Sequence, residues 1–172
     1  MIRALRLAVL TILTMALTPV CQAHEGENAV LTGLKYVVVS LADLNPAIER
    51  DGLRKADLQK DVEQTLKAAG IDVLSVEDGE KKAAPLLYVE TNVVATRFQC
   101  GTDQEDTVVF SALILVALKE PVTVLRTSTG EAVSTWSKHV IGATGEVVQI
   151  RNRVQNMLDE FVRAWRYSNT RR

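Results

Sequence analysis

The chain has 172 residues, 47% of them hydrophobic and 24% charged, with a formal net charge of −1. That length is one domain's worth of chain with room for a sizeable core. The balance lacks the concentrated basic face of a nucleic-acid-binding protein or of a peripheral protein held on an anionic membrane, and two cysteines are too few for a disulfide-stapled scaffold.

Residues 1–23 read as a cleaved signal peptide. Arg3 and Arg6 supply a positive start, an apolar run covers 7–20, and Cys21-Gln22-Ala23 offers the small residues of a cleavage site before His24. A run of about fourteen residues is too short to cross a hydrocarbon core of ~30 Å, so the mature chain is expected to have no transmembrane span and to be periplasmic or secreted. Losing Arg3 and Arg6, and no acid, moves the formal charge from −1 to −3. A lipid anchor at Cys21 is disfavoured, because Val20 precedes it where lipoprotein signals carry a small residue. Cys100 is then left without an intramolecular partner, as a buried thiol or one side of an intermolecular pair.

Residues 24–32 read as a flexible lead and 33–168 as a single domain. The Val-rich stretch 34–44 reads as a buried strand, broken at Asn45-Pro46. From 54 to 69, Leu58, Val62, Leu66 and Ala69 recur on one face of a helix, and Gly70 sits at its C-terminal cap. A short strand over 71–76 and a turn over 77–82 follow. Leu86–Phe98 reads as a strand, separated by the loop 101–106 from a nearly continuous apolar strand over 108–124. That continuity implies a central strand with both faces at least partly covered, and Pro121 implies an irregularity near its end. A turn over 127–131 leads into a last strand over 132–141 around Trp136, and Gly142-Ala143-Thr144-Gly145 reads as the turn onto the closing helix. There Val147, Ile150, Val154, Met157, Leu158, Phe161 and Trp165 form one stripe behind Thr144 as N-cap. Residues 169–172 read as a frayed tail. The expected fold is α+β: a single, mostly antiparallel sheet of about five strands in the order β-α-β-β-β-β-α, with two amphipathic helices on one face. Trp165 is expected in the core, while periodicity leaves Trp136 open between core and contact surface.

The chemistry-bearing inventory is thin. There is no G-x-S-x-G, H-E-x-x-H, Walker loop or G-x-G-x-x-G, and no catalytic constellation emerges. Glu77/Asp78, Glu105/Asp106 and Asp159/Glu160 are adjacent pairs on polar segments and read as solvated charge, not as an acid–base pair converging in a cleft. The glycines at 142 and 145 bracket a helix start that can bind an anion, but Glu146 opposes that and a sharp turn explains them. One sharper alternative concerns metal. Cleavage after Ala23 would make His24 the N-terminus, and its amine and imidazole, with His139, suit Cu(II).

Gly-Leu-Arg-Lys-Ala-Asp-Leu before the first helix, Ala-Gly-Ile-Asp-Val-Leu after it, Ser134-Thr135-Trp136 and Phe161-Val162-Arg163-Ala164-Trp165 give a layout that resembles uncharacterised exported bacterial proteins. It is also similar to the α/β modules of the TolB amino-terminal domain, the curli secretion lipoprotein and penicillin-binding-protein activator lipoproteins. The resemblance implies a protein-binding part of envelope assembly with no catalytic residues and no cofactor to carry over. The resulting expectation is a non-enzymatic periplasmic domain that binds another envelope protein. Contacts would lie along an exposed sheet edge, which can accept a partner strand, or on the loops 101–106 and 127–131. A copper-binding periplasmic protein using His24 and His139 is the alternative.

Overall fold

The computed structural model describes residues 28–99, 106–124, 126 and 128–170. β1 (Tyr36–Leu41) contains Val37, Val38 and Val39, whose β-branched side chains suit a buried, pleated strand. Asn45 ends the segment and caps α1 (Pro46–Arg50). Its Oδ1 accepts from the Ala47 N–H at 2.9 Å, and Pro46 has no N–H to leave unpaired at the helix start. In α2 (Lys55–Ala69), Leu58, Val62 and Leu66 are buried along one face. Gly70 stops the helix at φ +91°, a left-handed conformation that costs glycine little, with its N–H on the Leu66 and Lys67 carbonyls.

β2 (Asp72–Leu74) is shorter than the sequence implies, and the expected turn over 77–82 is largely a helix, α3 (Val76–Lys81). The reason is local. Ser75 Oγ accepts from the Asp78 N–H at 3.1 Å, acids fill the first turn, and Lys81 closes on Glu77 one turn earlier at 2.6 Å. The long strands β3 (Leu86–Gln99), β4 (Asp106–Val124) and β5 (Thr129–Thr144) then precede α4 (Val147–Thr170).

The sheet order is β2-β1-β3-β4-β5. β1 pairs in parallel with both β2 and β3, while β3, β4 and β5 form an antiparallel meander. The architecture is α+β, as the pattern implied. β5 is longer than the sequence indicated, because Thr129–Glu131 and Gly142–Thr144, both read as turns, pair with β4 through to Phe110↔Thr144 and Val124↔Thr129. Tertiary pairing overrides turn propensity there. Thr144 is accordingly no N-cap. Its Oγ1 accepts from the Glu146 N–H at 3.2 Å and closes the short turn that is left. The register shift in β4 lies between Leu118 and Lys119, with Pro121 still paired to Ala132, so Thr135 bulges and side-chain alternation in β5 shifts across it.

One face of the sheet meets α2 and α4. Val37, Val39, Leu87, Val89, Ile114, Val116 and Leu118 interlock there with Leu58, Val62, Leu66, Ile150, Leu158 and Phe161. Trp136 belongs to this core: it is 4% exposed and meets Phe161 edge-on, with ring centroids 5.0 Å apart at 70°. Trp165 is half-buried, and its Nε1 donates to the Leu34 carbonyl at 2.8 Å. Arg151 forks onto Asp61 at 2.6 and 2.8 Å to join α4 to α2, and that bond raises the Arg151 pKa further. Described residues of both terminal segments pack on the domain. Leu31, within the expected lead, is fully buried, and Asn169, within the expected tail, donates to the Leu31 carbonyl at 2.9 Å and accepts from the Gly33 N–H at 2.8 Å.

Candidate functional site

Side chains alternate across a sheet, so the residues of β3, β4 and β5 that do not face α2 and α4 form a second surface. The pairing register orders it in rows: Tyr88–Ala117–Ser137, Glu90–Leu115–His139, Asn92–Leu113–Ile141 and Val94–Ser111–Ala143. Among the described residues, α3 is the helix that packs on this side, at the far end, where Gly79 rests against Val38. Beyond it the surface is open. Ile141 is 76% exposed, Val94 60% and Leu113 40%. β4 is interior to the sheet, between β3 and β5, and both its faces are at least partly covered, as its apolar run implied: on this side Ala117 is buried and Leu115 half-buried, while Leu113 is exposed. Both long helices lie on the other side.

Polar groups border the apolar rows. Lys119 Nζ sits 3.9 Å from the Tyr88 ring centroid, a cation–π contact, and Ala117, paired with Tyr88, is buried. Burial, reinforced by the Glu90 carboxylate, pushes the Tyr88 phenol above its ordinary value. Towards α3 the same face deepens into an apolar hollow of about 450 Å³ between Val38, Val76, Ala84, Leu86, Pro121 and Ala132. At the opposite side, β4 is the one strand partner of β5 among the described residues, so β5 forms an edge of the sheet.

His139 stands on the open face opposite Leu115, exposed, and Trp136 points the other way into the core. Among the described residues no group of three or more His, Cys, Asp or Glu side chains could hold a metal ion. His24, Cys21 and Cys100 lie outside the described residues, as do 101–105 and 127 from the two candidate contact loops. In the rest of the second loop, Ser128 is a turn residue and Thr129–Glu131 are edge strand. Two helices on one face were expected from the sequence, but the exposed apolar cluster on the other face was not. Its signal was the apolar parity Val109, Leu113 and Leu115 in β4, set against only two helices long enough to cover a sheet.

No family model matches the chain, and no curated protein matches it. Among solved structures, a minor lipoprotein of Acinetobacter baumannii aligns over 78% of this chain and 93% of its own, at 12% identity and TM-score 0.36. A PelC dodecamer from Paraburkholderia phytofirmans aligns over 77% and 88%, at 16% identity and TM-score 0.37. A neuraminyllactose-binding hemagglutinin homolog from Helicobacter pylori aligns over 77% and 86%, at 12% identity and TM-score 0.34. These are topology-level likenesses, and no residue role or function passes from them to this chain. No helix among the described residues is long and apolar enough to cross a membrane.

Proposed function

We propose that this chain is a non-enzymatic domain of the cell envelope, exported by residues 1–23, and that it binds another envelope protein through the open face and free edge of its sheet. One observation carries this reading. Val94, Leu113 and Ile141 lie exposed together on the face opposite α2 and α4, beyond the reach of α3, and beside the outer edge of β5, which has no second strand partner among the described residues. A contiguous apolar surface bordered by polar groups marks a contact site more often than a solvent face, and a free edge offers main-chain hydrogen bonds to a partner. The experiment is cross-linking in intact cells with the native signal and a C-terminal tag, on the natural chain and on Ile141→Lys and Leu113→Lys. A discrete adduct that both substitutions abolish, with the melting temperature unchanged, supports the assignment. An adduct that survives both sinks it.

Copper is the second reading, built on His24 and His139. Its supporting feature is the exposed imidazole of His139, open to further ligands. Cu(II) would then raise the melting temperature only when His24 is the true N-terminus. Equal response from a chain carrying an extra residue before His24 would remove it.

A further inference from the structure

We propose that the groove between β5 and α4 takes an extended, acidic segment of a partner protein as an added strand on β5. This rests on β5 being a docking edge and names what docks there. α4 runs back along β5. Arg153 lies over Gly142 near the start of the helix, and Phe161 meets Trp136 two turns later. Between these contacts is a groove of about 390 Å³ whose lining includes Lys138, Val140, Arg153, Met157 and Glu160, with His139 at its rim.

Backbone chemistry favours a strand as occupant. Among the described residues β4 is the one strand paired with β5, so alternate N–H and C=O groups point outward along the groove mouth. An extended segment can satisfy them in the way sheet edges accept peptides. A nucleic acid or a lipid headgroup offers no matching ladder.

Charge favours acidity in that segment. The chain is net negative, yet this groove presents Lys138 and Arg153 against Glu160 alone. Neither cation has an ion-pair partner among the described residues. Arg153 uses one N–H on the Ala143 carbonyl at 3.1 Å, and the rest of its guanidinium fork is free for a carboxylate.

Gly142 shows that the guanidinium is seated and not merely draped. A Cβ at 142 would fall 2.0 Å from Arg153 Nη1 and 2.9 Å from Cζ. Glycine weakens a strand interior and marks places where another group approaches closely. Here that group is the arginine. Lys138, Val140 and Gly142 share the groove side of β5, so a partner's inward residues would set a carboxylate near Lys138 or Arg153 and an aliphatic side chain against Val140 and Met157.

The test is a display library of random octapeptides panned against the full chain, with winners titrated by amide NMR. The expected winners carry an acidic residue between β-branched ones and shift the amides of 138–142 and 153–160. They should bind about tenfold more weakly to Lys138→Glu and to Gly142→Ala, which displaces the guanidinium, each at unchanged melting temperature. Alternate N-methylation of the peptide should abolish binding. Failure to enrich peptides, winners without acidic residues, or winners that ignore both substitutions would overturn the proposal. The open-face reading fails separately: acidic winners at β5 with no Ile141-dependent adduct in cells refute it and leave the groove assignment standing.

Discussion

Gly79 and Gly142 pose the same steric question and should answer it oppositely. An added Cβ would lie 2.1 Å from Val38 Cγ2 at Gly79 and 2.0 Å from Arg153 Nη1 at Gly142. Val38 is a buried residue of β1, so α3 cannot accept a methyl without lifting off the sheet or forcing Val38 out of place. Overpacking of this kind costs ~1–3 kcal/mol, and the helix-propensity gain of Gly→Ala returns ~1 kcal/mol at most. Gly79→Ala should therefore lose about 1–2 kcal/mol, a fall in melting temperature of roughly 2–8 °C for a domain of this size. At Gly142 the obstacle is the far end of a flexible side chain. Losing the exposed Arg153–Ala143 bond costs ~0.5–1.5 kcal/mol, offset by ~0.5–1 kcal/mol from removing a strand glycine, so Gly142→Ala should stay within about 1 kcal/mol of the natural chain. Urea unfolding followed by circular dichroism, with matched thermal scans, measures both. Equal losses in the two variants, or a Gly79→Ala protein as stable as the parent, would refute the packing placed here on α3 and on Arg153.

Phe161→Ala removes the partner of Trp136 from the centre of the core, and should cost ~3–5 kcal/mol and collapse the near-ultraviolet circular dichroism of the tryptophan. Trp165→Phe keeps most of the packing but leaves the Leu34 carbonyl without its 2.8 Å donor, and should cost about 1 kcal/mol in urea unfolding. Glu63 is held below its ordinary value, chiefly by the Gln59 amide and secondarily by Lys67. Its folded pKa is the lower one, so its contribution is complete above the unfolded glutamate pKa and disappears as pH falls through the depressed folded value. Glu63→Gln should therefore flatten the acid limb of the stability profile and leave the alkaline limb alone.

The helices and the core were legible because they are periodic. Leu58, Val62 and Leu66 in α2, and Ile150, Val154, Leu158 and Phe161 in α4, fall where a 3.6-residue repeat puts them. α3 was not legible as a helix, since Glu77-Asp78-Gly79-Glu80 has a turn's composition, and the bond that decides the matter belongs to Ser75. The ends of β5 were hidden for a different reason. Gly130 and Gly142 argue for turns locally, and only pairing with β4 holds them extended. Leu31 looked like part of a loose lead because its partner, Asn169, is 138 residues away. The proposed contact surface was half legible. An exposed edge could be anticipated from strand count, but not which strand forms it. Nor could one sequence show that Leu113 faces solvent while Ile114 faces Leu158's side of the sheet, because both are equally apolar.

The most direct test of a docking surface on the open face is in-cell photo-cross-linking from single positions. A photoreactive residue in place of Ile141, and separately Leu113, is compared with one in place of Lys60, exposed on α2 at the opposite side of the sheet. The same discrete protein adduct from 141 and 113, with none from 60, is the expected result. Adducts of equal yield from all three positions, or an adduct from 60 alone, would contradict it.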